Sequence, residues 1–270
     1  MAFPRRVSES TVGVPIGEAL GSALLILRRG WFWLTVATLF LCWIPDVADI
    51  TLGWTSWRRF AVPRSIATQL LASTFFTYTL AKVGLAAARG KRVGLASIVG
   101  GSPKPLVLAA AFILAQNGWR VLALWAKPDP ERSIQLGLAL VGTGMAAEIA
   151  LVGYLGWLIP VAIDQPERLA GPIGKTWRLM RGSRLLMAAC YAGFGVATTF
   201  APGYLVHRFF PPIFCIECDN IPFSWSLWTE DTLNELLSSF ISAGWLVLST
   251  ALYSARSRHV ADRETARVFD

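Results

Sequence analysis

The chain alternates long apolar runs with short polar connections. The runs cover about residues 31–50, 66–88, 105–125, 134–163, 184–206 and 232–255. Within each run apolar residues follow one another without the alternation of a membrane β-strand, so each reads as a helix. Each is close to or above the roughly 20 residues that cross the hydrocarbon layer at about 1.5 Å per residue. The expected fold class is therefore all-α: a polytopic membrane protein with six transmembrane helices, forming one integral membrane domain over residues 1–270. The fourth run is the longest, and tilt or a break before Pro160 would absorb its excess.

The polar connections carry a second pattern. In residues 168–182, RLAGPIGKTWRLMRG, Leu169, Ile173, Trp177 and Met180 recur at helical spacing, while Lys175, Arg178 and Arg181 lie off that stripe. Residues 16–30, IGEALGSALLILRRG, repeat the pattern with Ile16, Leu20, Ala23, Leu24 and Leu27, and both segments end in Arg-Gly. A shorter version, VGLASIVGG, precedes the third run. One reading is a repeated basic amphipathic helix, lying in the headgroup layer and feeding a helical hairpin. The other is a set of ordinary juxtamembrane helices, alike because the interface selects the same pattern.

Composition agrees with a bilayer. Hydrophobic residues make up 54% of the chain, charged residues 16%, and mean hydropathy is +0.50. A soluble domain carries about a quarter charged residues. The net charge of +8 would suit nucleic acid or an anionic membrane surface. The basic residues sit in short segments beside apolar runs, which selects membrane lipids with anionic headgroups as partners and excludes nucleic acid. Seventeen of the 25 Lys and Arg fall in the N-terminal segment, the loops after the second and fourth runs, and the tail. The positive-inside rule therefore places both termini in the cytoplasm. Arginine outnumbers lysine and alanine is abundant, which points to a GC-rich bacterial genome and the inner membrane. Residues 1–15 hold no apolar stretch and no small-residue cleavage site, so the first run is expected to act as an uncleaved signal-anchor.

Residues 155–190, LGWLIPVAIDQPERLAGPIGKTWRLMRGSRLLMAAC, combine a Pro-containing span end, a short acidic link, a small-residue-rich amphipathic helix and the next span. This resembles the six-helix membrane domain found beside some glycerophosphodiester phosphodiesterases and in stand-alone bacterial membrane proteins. The resemblance implies a six-span bundle. It brings no catalytic residue, because no soluble phosphodiesterase domain is attached.

Candidate chemistry is sparse. The sequence has no P-loop, nucleophile elbow, zinc-protease helix or dinucleotide fingerprint. No catalytic residue, metal site or cofactor is expected. The small-residue series Gly142, Ala146, Ala150 and Ala189, Gly193, Ala197 suit close helix approach. The intramembrane charges are the sharper signal, since each costs about 2.5–3.5 kcal/mol on insertion scales unless paired or wetted. Lys82 and Glu148 lie at matching depths, roughly 24 and 21 Å from the outer side, and are expected to pair. Arg120 and Asp46 share a height near the outer interface and form a second expected pair, with Gln116 and Asn117 nearby. Arg120 could instead snorkel to the outer headgroups. Either pair would fix helix register or line a substrate or proton path. Cys42 and Cys190 fall within spans as packing residues. Cys215 and Cys218, in the loop after the fifth run, would form a tight disulfide, stay as free thiols, or act in thiol exchange or metal binding. The aromatic loop around 207–231 is expected to lie along the outer interface.

The leading functional expectation is a non-enzymatic inner-membrane scaffold or accessory subunit, binding lipid or a membrane protein complex. A small transporter or lipid translocator with a polar path is the alternative, and a redox role for the Cys215–Cys218 pair is a third.

Overall fold

The computed structural model describes residues 16–53, 58–95, 98, 100, 102–125, 130–165, 171–209 and 225–269. We number the helices in chain order: α1 (Ile16–Thr38), α2 (Ile44–Gly53), α3 (Arg58–Ala88), α4 (Lys104–Trp125), α5 (Pro130–Leu155), α6 (Leu158–Asp164), α7 (Gly171–Leu179), α8 (Arg184–His207) and α9 (Trp225–Phe269). A π-helical turn, Leu39–Trp43, joins α1 to α2. Among the described residues five stretches are long and apolar enough to cross a bilayer: Ile16–Ala48, Leu70–Ala88, Val141–Asp164, Arg184–His207 and Trp228–Asp262. Helix α4 is the remaining long helix.

The helices close into a ring in the order α1, α3, α4, α5, α8, α9, with α3 also touching α9 across it. Helix α9 runs antiparallel to α1 and α2 along their length. Arg258 Nη2 donates to Ser22 Oγ (2.6 Å), Trp43 Nε1 to the Thr232 carbonyl (3.1 Å) and Trp228 Nε1 to Thr51 Oγ1 (3.1 Å).

Local chemistry explains each irregularity. Pro45 lacks an N–H and its ring crowds the carbonyl one turn earlier. The π turn absorbs this by letting the Ile44 N–H bond to the Leu39 carbonyl. Pro202 sits inside α8 and withdraws the donor from the Thr198 carbonyl. Ser238 Oγ of α9 supplies a replacement at 3.4 Å. The long fourth run does break, between α5 and α6. A Cβ at Gly156 would lie 2.6 Å from the Val152 carbonyl oxygen, so the tight turn needs glycine. Pro160 then occupies the first turn of α6, where its missing N–H does no harm. Helix α3 ends in a Schellman turn, with Gly90 at φ +72° and Lys91 N–H bonded to the Ala86 carbonyl.

Two expectations change. The 16–30 segment is not a separate interfacial helix. Its buried residues Ala19, Ser22, Ile26 and Gly30 continue in register into Leu34 and Ala37, so one helix passes through. The stripe Ile16, Leu20, Leu24 and Leu27 is exposed. The small-residue series on α5 and α8 do not pack inside the chain: Gly142, Ala146, Ala150, Ala189 and Gly193 are exposed, and a Cβ on Gly142 or Gly193 would meet open space. Close approach occurs at other glycines. A Cβ on Gly30 would stand 3.1 Å from Val83, and one on Gly84 2.9 Å from Thr250.

Candidate functional site: an intramembrane polar hub

Glu148 lies in the last third of α5 and is 6% exposed. Two neighbouring helices deliver hydrogen-bond donors to it. Gln116 and Trp119, one turn apart on α4, donate from Nε2 to Oε1 (3.2 Å) and from Nε1 to Oε2 (3.1 Å). Tyr191 of α8 donates its hydroxyl to Oε1, and the same hydroxyl accepts from Gln116 Nε2 at 2.5 Å. A glycine makes room: a side chain at Gly144 would overlap the Trp119 ring. Behind Tyr191, Trp245 of α9 packs edge-on at 5.3 Å between centroids, with Phe194 5.7 Å away. One carboxylate thus binds α4, α5 and α8 together at membrane depth, where water offers no alternative partner.

Lys82 and Glu148 do not pair. Lys82 Nζ donates to the carbonyls of Ile98 (2.9 Å) and Gly100, and lies 5.1 Å from the Tyr78 ring centroid. Their depths match, but depth does not fix azimuth: Lys82 points to the connection after α3, and Glu148 points to α4 and α8. Trp33 Nε1 holds the same connection through the Val93 carbonyl at 3.0 Å. Within the expected third amphipathic segment, residues 96, 97, 99 and 101 lie outside the described residues.

Asp46 accepts a weak bond from Cys42 Sγ at 3.9 Å. The Arg120 side chain lies outside the described residues, and so do Cys215 and Cys218. Asn117 Nδ2 returns to its own helix, to the Ile113 carbonyl (3.0 Å). Cys42 and Cys190 are free, half-buried thiols.

Sequence reasoning missed a second cross-link. Asp164, the last residue of α6, takes Arg89 Nη2 on one oxygen (2.5 Å) and the Tyr253 hydroxyl on the other (2.6 Å). It ties the ends of α3 and α6 to the middle of α9. The signal in the sequence was an acid at a span end facing a loop of arginines.

Helix α7 is amphipathic, and its apolar stripe divides between the bundle and the outer surface. Pro172, Thr176 and Leu179 are buried, as is Met180 just beyond. Ile173 and Trp177 are exposed alongside Arg178 and Arg181, with Lys175 half-buried. Trp177 stacks on Tyr154 of α5 with centroids 4.9 Å apart and planes at 15°. The Arg184 guanidinium lies 4.3 Å from the Trp177 centroid and 4.4 Å from that of Tyr154.

No group of three or more His, Cys, Asp or Glu side chains converges as a metal site among the described residues. Comparison with family models, curated proteins and solved structures returns no match.

Proposed function

We propose that this chain is an accessory or scaffold subunit of a bacterial inner membrane, spanning it six times with both termini in the cytoplasm. The observation that carries this reading is how the intramembrane charges are used. Lys82, Glu148 and Asp164 bind other parts of the same chain, while among the described residues Gly142, Ala146, Ala189 and Gly193 stand exposed on α5 and α8. Small outward residues in a membrane suit close approach by another helix. The ring of long helices is compatible with the resemblance of residues 155–190 to the six-helix membrane domain, which belongs to the same proposal.

The test is purification in native lipid from cells carrying either the natural chain or Gly142→Leu and Gly193→Leu variants. Open space at both positions lets the variants fold. A stoichiometric membrane protein should accompany the natural chain and be lost from the variants at unchanged expression. Equal retention by the variants would defeat the reading.

A small transporter or lipid translocator is the second reading, favoured by one feature. The α5 stripe that buries Val152, Glu148 and Gly144 is exposed again outward, at Val141 and Met145. Val141 stands roughly 10 Å along the helix from the carboxylate. Reaction of cysteines placed at 141 and 145 with a membrane-impermeant thiol reagent would support it, and protection of both would remove it.

A further inference from the structure

We infer that Arg184, with Arg181 and Arg178, forms a discrete binding site for the phosphate of an anionic phospholipid. The inference rests on the membrane-embedded reading above, but not on the protein partner proposed there.

Three observations carry it. First, the Arg184 guanidinium is positioned but under-used. Trp177 and Tyr154 hold it against their rings, and its one hydrogen bond among the described residues is a 3.5 Å contact from Nη2 to the Trp177 carbonyl. Its Nε is shielded from water and has no acceptor. The rings hold the guanidinium in fixed orientation, and its Nη donors are the edge left to meet phosphate oxygens.

Second, the segment that carries the cluster is of one sign. Residues 171–190 contain Lys175, Arg178, Arg181 and Arg184 and no Asp or Glu. Arg178 and Arg181 are exposed. Between Arg181 and Arg184 the backbone turns at Gly182, at φ +87°, with open space where a side chain would be. A phosphate can therefore approach the turn closely.

Third, the cluster borders an apolar surface rather than an aqueous one. Ile173, Trp177 and Leu185 are exposed beside it, Leu185 at 87%. Aromatic rings at the headgroup level with cationic side chains beside them suit a lipid more than a free anion.

The test uses the full chain in a neutral maltoside, with equimolar dioleoyl phosphatidylglycerol and dioleoyl phosphatidylcholine, read by native mass spectrometry. The phosphatidylglycerol adduct should predominate several-fold. Arg184→Gln should reduce that preference about fivefold, the scale expected for one basic residue near an anionic surface. Should Arg184→Gln fail to fold, the exposed Arg178→Gln and Arg181→Gln variants replace it, and each should lower the preference. Arg92→Gln, exposed on another loop, should leave it unchanged. Equal retention of the two lipids, indifference to all three substitutions, or an equal loss in Arg92→Gln would overturn the site. Displacement of the lipid by millimolar inorganic phosphate would reassign it to a free anion and overturn the lipid assignment. Co-purification of a protein partner does not depend on any of these results, so the two proposals fail separately.

Discussion

Replacing Glu148 tests whether the polar hub holds the bundle together. Glu148→Ala removes the acceptor of the Gln116, Trp119 and Tyr191 donors at once. A hydrogen bond to a charged group contributes about 1.5–3 kcal/mol in soluble proteins. Within membranes, measured side-chain bonds average about 0.6 and reach about 1.7 kcal/mol, because the unfolded chain in lipid finds other partners. Three donors lost together therefore cost about 2–5 kcal/mol. Tyr191→Phe removes two bonds, the donation to Glu148 and the acceptance from Gln116, and leaves the ring packed on Trp245, so its cost is about 1–3 kcal/mol. Glu148→Gln should fall between them, since its amide group faces donors with a donor. The assay is reversible unfolding in bicelles, by steric trapping or dodecyl sulfate titration, followed by helicity. The double variant Glu148→Ala/Tyr191→Phe should cost less than the sum of the singles by about 1 kcal/mol. Strict additivity, or a Glu148→Ala variant as stable as the natural chain, would refute the hub.

Three further outcomes follow from the packing. Ser238→Ala should cost about 0.5–1.5 kcal/mol by stripping the donor from the Thr198 carbonyl, and Pro202→Ala should reduce that loss by restoring the helical N–H; no rescue in the same unfolding assay counts against the compensation. Lys82→Met should release the connection after α3, so that trypsin supplied on the Arg-rich side cuts after Arg89, Lys91 or Arg92 faster than in the natural chain; an unchanged rate removes Lys82 as the clamp. Gly84→Leu should lose about 1–3 kcal/mol by overpacking against Thr250, whereas Gly142→Leu should change stability by less than about 0.5 kcal/mol; equal effects would contradict the assignment of buried and outward glycines.

Long apolar runs made the main helices legible, because a span must be continuous and apolar whatever surrounds it. The break in the fourth run was also legible, although it falls at Gly156 rather than directly before Pro160. The Arg-Gly pairs misled, since one dipeptide serves two structures. At Arg181-Gly182 the chain turns with positive φ. At Arg29-Gly30 it stays helical, because the buried stripe of α1 keeps its register past residue 30 and Val83 needs the space beside Gly30. The polar site was half legible. Glu148, Lys82 and Gln116 stand out as polar residues in apolar runs, and their heights follow from residue count. Rotation about the helix axis decides which of them meet, and spacing from a span end carries no information on that angle. Trp119 and Tyr191 gave weaker signals still, because an aromatic residue in a span is as suited to packing as to hydrogen bonding.

Within lipid, burial of apolar surface does not draw helices together, so cohesion must come from close packing or from hydrogen bonds. The two sides of the ring combine these means differently. Around α1, α3 and α9, backbones approach at Gly30 and Gly84. On the side of α4, α5 and α8, Gly142, Ala146, Ala189 and Gly193 face outward; a close approach remains at Gly153, where a Cβ would stand 3.3 Å from the Arg184 carbonyl, and Glu148 adds its hydrogen bonds. A protein needing stability alone could have placed Gly142, Ala146 and Gly193 against one another, as it did with Gly30 and Val83. Their outward placement instead leaves a smooth surface on the helices that converge on Arg184, and the hub keeps those helices in register whether or not that surface is occupied.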